Sequence, residues 1–164
     1  MANQPELVVE HTVVIQATPA RVLDAFFRAE DLQNWWQVMR SVTVPRPLGT
    51  FSVEWPSTEY RDDVLGRLGG AFHGTVIDYR SGSEFFIGEA YWQPPEGEPI
   101  GPMALEVRCT PEGSAHTTRL HVRQSADDEG PRWQRYFEVV SAGWNRALAD
   151  LQAYLDSDVL PERR

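Results

Sequence analysis

Few residues in this chain could do chemistry. Four histidines, His11, His73, His116 and His121, are scattered along it, none at the spacing of metal ligands. His121 alternates with Leu120 and Val122 and so points to solvent, whereas His73 could be either a general base in a pocket or a hydrogen-bonded surface histidine. Glu89 belongs to one of two strand phases. In the phase of Phe85, Ile87 and Tyr91 it turns inward, where a carboxylate must be paired, bonded to a ligand or protonated. In the opposite phase, with Phe86, Gly88, Ala90 and Trp92 inside, it stands in water. Cys109 is the only cysteine, so the sequence contains neither an internal disulfide nor a cysteine-rich zinc site. Every strong cation is arginine, which excludes Schiff-base, phosphate-loop and Ser-Lys lysine chemistry. Serine-hydrolase elbows, His-Glu-x-x-His, glycine-rich nucleotide loops and calcium loops are all missing. No cofactor and no metal is expected.

The elements that position these residues follow from periodicity. Leu7 to Ala17 alternates, with Val9, Val13 and Ile15 on one side and Glu10, Thr12 and Gln16 on the other, as a half-buried strand does. Thr18 then offers an N-cap oxygen and Pro19 a preset first-turn φ, opening a short helix through Val22, Ala25 and Phe26; Glu30 to Gln37 reads as a second. Strands follow at Phe51 to Trp55, Ala71 to Tyr79, Phe85 to Trp92, Met103 to Thr110 and His116 to Gln124. The turns Gly69-Gly70, Ser81-Gly82-Ser83 and Pro111-Glu112-Gly113 make them an antiparallel meander. Gln93 to Pro102, with four prolines, reads as an extended loop. Asp127 to Glu129 and Pro131 open a last helix, in which Trp133, Phe137, Val140, Trp144, Ala147, Leu148, Leu151 and Leu155 recur every three or four residues. It is expected to end near Asp156, with Pro161 and a charged tail beyond.

The expectation is a single α+β domain over residues 1–164 with its core at about 7–156. A curved antiparallel sheet of about six strands packs around a long C-terminal helix, and two short helices follow strand one. A formal net charge of −9 without a basic patch argues against nucleic acid. No apolar run is long enough to span a membrane and no signal peptide is visible, so a cytoplasmic location without membrane insertion is expected.

The opening run Ile15-Gln-Ala-Thr-Pro-Ala-Arg-Val-Leu-Asp-Ala-Phe with Leu32 and Trp35-Trp36, the Gly74-Thr-Val76 segment, and Gly143-Trp144 through Leu155 resemble one family. It is the START-like, or polyketide-cyclase-like (SRPBCC, helix-grip), superfamily, and within it the Aha-type branch of chaperone ATPase activators. The resemblance runs from about Val8 to Leu155 and implies the same fold. It leaves function open, since this fold hosts carriers, receptors, cyclases and chaperone activators. Two positions depart from the branch: Glu89 replaces an aromatic and Gln124 replaces a histidine. The partner-binding domain of the eukaryotic activators does not precede the motif, so chaperone interaction is not expected.

A straight helix cannot touch a curved sheet along its whole length, so a cavity between them is expected. Its candidate ligand-binding residues are Trp35, Trp36, Glu89, Gln124, Phe137 and Trp144, and its expected partner is a small hydrophobic or aromatic molecule held without catalysis. An enzyme of cyclase or hydrolase type using Glu89 or His73, and a chaperone cofactor, are the alternatives. Gly143 would either bring the helix close to a strand or leave room for a ligand. A homodimer is left open.

Overall fold

A computed structural model describes residues 7–158; Pro161 and the charged tail lie outside the described residues. Strand β1 (Leu7–Ile15) leads into helix α1 (Pro19–Asp24), where Thr18 Oγ1 accepts from the Arg21 amide at 3.1 Å, as its N-cap position requires. Helix α2 (Ala29–Trp36) stops at Gln37, whose left-handed backbone (φ 53°) turns the chain out of the helix. Two elements of the first half went unread in the sequence: the edge strand β2 (Arg40–Thr43), and a small hairpin made of β4 (Arg61–Asp62) and β5 (Gly66–Arg67). Both are four residues or shorter, too short for a period to register. The remaining strands are β3 (Thr50–Trp55), β6 (Gly70–Arg80), β7 (Glu84–Gln93), β8 (Ile100–Pro111) and β9 (Thr118–Ala126). Helix α3 spans Pro131–Asp158, and at ~1.5 Å per residue is about 42 Å long.

The main sheet has seven strands in the order β1-β9-β8-β7-β6-β3-β2, every neighbouring pair antiparallel. The expected helix-grip architecture is therefore present, with one strand more than the six anticipated. The proline-rich segment is shorter than expected, because β8 begins at Ile100.

Bulges bend the sheet. Ile87 pairs with Leu105 and Ala90 with Met103, so two residues of β7 oppose one of β8, and Glu89 is extruded with φ 50°. On the other side of β7 the chain of β6 must come close. A Cβ on Gly74 would lie 2.7 Å from Ile87 Cγ2 and 3.0 Å from the Ala90 backbone, so only glycine fits opposite the bulge.

Helix α3 meets this curved surface unevenly. In its C-terminal half Leu148, Leu151 and Leu155 are buried and belong to the same hydrophobic core as Ile15, Leu23, Phe26, Leu105 and Leu120. Three helices are tied together there by one carboxylate. Asp31 accepts from Arg21 Nη1 at 2.7 Å and Nη2 at 2.9 Å and from the Tyr154 hydroxyl at 2.6 Å. Burial pushes its pKa up, but these hydrogen bonds outweigh burial and hold it below the ordinary value. Tyr154→Phe removes a charge-assisted hydrogen bond from this junction and is expected to cost about 1.5 kcal/mol in a urea melt; a midpoint equal to the parent's would show that the junction contributes nothing.

Candidate functional site

Helix α3 and the sheet leave a space between them along the helix from Tyr136 to Asp150. Between them is a cavity of about 490 Å³, within the ~300–1,000 Å³ range of small-molecule sites. Phe72 and Trp92 form its sheet wall, Tyr136, Val140 and Trp144 its helix wall, and Trp36 and Trp55 one end. Leu65 and Leu68, from the β4–β5 hairpin, cover it. A Cβ on Gly143, another lining residue, would meet no atom within 4 Å; of the two roles open to this glycine, the structure shows the one that leaves room. Exposed Gln37, Ser57, Thr58, Arg146 and Asp150 rim the mouth.

The interior is largely apolar because the nitrogens of its indoles are occupied. Trp92 Nε1 donates to the Gly69 carbonyl at 2.8 Å, Trp55 Nε1 to the Trp36 carbonyl at 2.9 Å and Trp144 Nε1 to Gln124 Oε1 at 2.7 Å. What these indoles present to the space is ring surface. Gln124, only 2 % exposed, also donates from Nε2 to Met103 Sδ at 3.0 Å and to the Tyr136 hydroxyl at 3.3 Å. Burial pushes the Tyr136 hydroxyl pKa well above its ordinary value, and the bond from Gln124 offsets this in part, so the phenol is neutral at any physiological pH.

Of the six sequence-derived candidates, Trp36, Gln124 and Trp144 line the cavity. Trp35 lies one layer behind, fully buried, its ring stacked on Trp36 with centroids 4.8 Å apart and its Nε1 bonded to the Ala25 carbonyl. Phe137 is buried next to Tyr136 and Trp133 but does not line the space. The inward reading of Glu89 is corrected: the extra residue at the β7 bulge shifts the phase, so Ala90 and Trp92 continue the inner face begun by Phe85 and Ile87, and Glu89 is exposed. The three tryptophans Trp35, Trp36 and Trp144 also do not face one another across the space; they form one continuous contact series, Trp36 and Trp144 lying 5.1 Å apart. His73 is exposed and stacks on Tyr91, and His121 meets Glu10 Oε2 at 2.9 Å across the β1–β9 ladder. Burial pushes the Cys109 thiol up to about 12, which leaves it inert. No group of metal-ligating side chains is present among the described residues.

The sequence reading did not assign Tyr136, Trp92 or Trp55 to the site, nor the hairpin lid. Tyr136, Val140 and Trp144 repeat at every fourth residue, a signal that could have placed Tyr136 beside Trp144. The lid is fastened by Asp62. Its Oδ2 accepts from the Val64 and Leu65 amides, both at 3.0 Å, and its Oδ1 takes Arg135 Nε of α3 at 2.7 Å.

A curved antiparallel sheet, two short end helices and a long helix held off to leave an apolar cavity define a START-like helix-grip domain. The sequence profile described as "Activator of Hsp90 ATPase homolog 1-like protein" matches residues 16–156, and the chain belongs to that family. Solved structures of similar fold include Ms6760 of Mycobacterium smegmatis (TM-score 0.71, 15 % identity, 93 % of this chain and 92 % of that one). MLL2253 of Mesorhizobium loti is another (0.65, 19 %, 93 % and 98 %). DynU16, from the dynemicin biosynthetic locus, is a third (0.65, 18 %, 94 % of this chain and 49 % of that one). A sequence comparison with curated proteins finds no match. No described helix is long and apolar enough to cross a membrane.

The lid fastening makes a pH prediction. The Arg135 hydrogen bond, opposed by burial and reinforced by the Leu65 and Val64 amides, lowers the Asp62 pKa from 3.8 to about 2. A depressed carboxylate contributes stability above its unfolded value and loses it as pH falls through the folded value. Between pH 3.8 and about 2 the parent should therefore lose more thermal stability than Asp62→Asn does; parallel acid profiles for the two proteins would contradict the fastening.

Proposed function

We propose that this protein binds a small, largely apolar or aromatic molecule, without transforming it, in the cavity between the sheet and α3. The observation that carries this reading is an open-mouthed space of about 490 Å³ walled mainly by aromatic and aliphatic side chains, with a helical glycine opening onto it. A cavity of this kind left unfilled forfeits packing at every wall, by about 20 cal/mol per Å² of cavity surface, so an occupant that fits gains what the bare fold gives up. The chemistry of the walls supports binding over turnover. Glu89 and His73, the two groups an acid–base mechanism would have used, stand outside, and the only carboxylate lining the space, Asp150, is exposed at the mouth. The family description names a chaperone ATPase activator; the cavity is what favours a small-molecule ligand for this chain over that activity.

The test is a panel of lipids, polyaromatics and quinones read by indole fluorescence and thermal melting together. A ligand at a hundredfold its Kd stabilises the native state by about 2.7 kcal/mol, a clear rise in Tm. Gly143→Leu supplies the control. It replaces the weakest ordinary helix former, worth about 1 kcal/mol against alanine, and projects a side chain into the open space. The variant is expected to melt at or above the parent temperature while losing the ligand-induced shift. Undiminished ligand shifts in Gly143→Leu would place binding somewhere else.

A further inference from the structure

The polar end of the cavity is built so that one hydrogen remains to be given away. An indole nitrogen can only donate, so the 2.7 Å contact from Trp144 Nε1 fixes which end of the Gln124 amide is oxygen. The opposite end is then the NH₂, which has two hydrogens and no lone pair to offer. One goes to Met103 Sδ at 3.0 Å and the other to the Tyr136 oxygen at 3.3 Å. Tyr136 is thus an acceptor towards Gln124 and cannot return its own proton to that partner. Among the described residues no other hydrogen bond engages this hydroxyl, although the side chain is only 4 % exposed. Its ring is held by stacking on Trp92 at 5.2 Å and by an edge contact with Phe137 at 5.7 Å, so the hydroxyl is fixed beside Gln124 on the cavity wall.

Resting on the binding function proposed above, we propose that Tyr136 is the specificity residue of the cavity: its hydroxyl donates to a single neutral acceptor oxygen, a ketone or quinone carbonyl, on an otherwise apolar ligand. A pure hydrocarbon displaces whatever solvent satisfies that proton and leaves it unpaired, which is costly in a buried site. A ligand hydroxyl can accept this hydrogen too, but it adds an O–H of its own that the apolar walls leave without a partner, whereas a carbonyl adds none. Among the lining residues Arg146 is the one cation, and it is exposed, so an anionic head has no buried counter-ion there.

Fluorene and fluorenone differ only in one CH₂ replaced by C=O, and serve as the probes. In the parent protein, calorimetry is expected to give fluorenone about tenfold higher affinity than fluorene, the ratio for one buried hydrogen bond. In Tyr136→Phe that ratio should fall to near one, and the carbonyl stretch of bound fluorenone should move from near its frequency in methanol towards that in hexane. The infrared band of the parent complex reads the hydrogen bond even if the variant proves unstable. Equal binding of both probes by the parent, with a hexane-like carbonyl band, would overturn the Tyr136 assignment while leaving the cavity as a binding site. Binding of neither probe would overturn both.

Discussion

A 28-residue helix bends only gently, whereas the sheet it crosses is kinked at its bulges. At Glu89 an extra residue kinks β7, and Gly74 lets β6 follow the kink. The two surfaces can therefore meet only over part of their length. They meet where α3 carries Leu148, Leu151 and Leu155, and where α1 and α2 close the same end through Asp31. From Tyr136 to Asp150 the gap has to be lined. That mismatch of shape puts the cavity where it is, and it leaves the lid to be made by an insertion between β3 and β6.

Lining such a gap with aromatic residues raises a second problem, because tryptophan and tyrosine bring polar atoms with them. Each indole nitrogen discussed above is given an acceptor on the protein, mostly a backbone carbonyl. Trp144 differs in using a side chain, Gln124, and this choice extends into a chain of directed bonds that ends at Tyr136. The polarity of that chain is set at its start, since an indole cannot accept. The position of Gln124, where the resembling branch carries a histidine, thus has a role that follows from its neighbours. An amide there can accept from one aromatic and donate to another at the same time.

The sequence made the long elements legible and obscured the short ones. Strands and helices with an uninterrupted apolar period, such as β1, β9 and α3, fell close to their observed limits. Strand β2 and the β4–β5 hairpin are too brief to show a period, so the lid and its Asp62 fastening could not be seen. Glu89 failed for a different reason. Alternation assumes that every residue of a strand advances the pleat, and a bulge breaks that assumption without any mark in a single sequence beyond the nearby glycines, Gly74 and Gly88. For the site, aromatic content and helical spacing were enough to find Trp36 and Trp144. They could not separate residues that face the space from those one layer behind, such as Trp35 and Phe137, because both kinds are buried and apolar.

The central claim is that an accessible, largely apolar space lies between the sheet and the Tyr136 to Asp150 stretch of α3. Xenon binds such spaces without needing any polar partner, whereas water-filled or collapsed sites do not take it. Diffraction from crystals pressurised with xenon should show the gas between Phe72, Trp92, Val140 and Gly143. An absence of xenon there, with the side chains of the lid and helix packed into contact, would contradict the account.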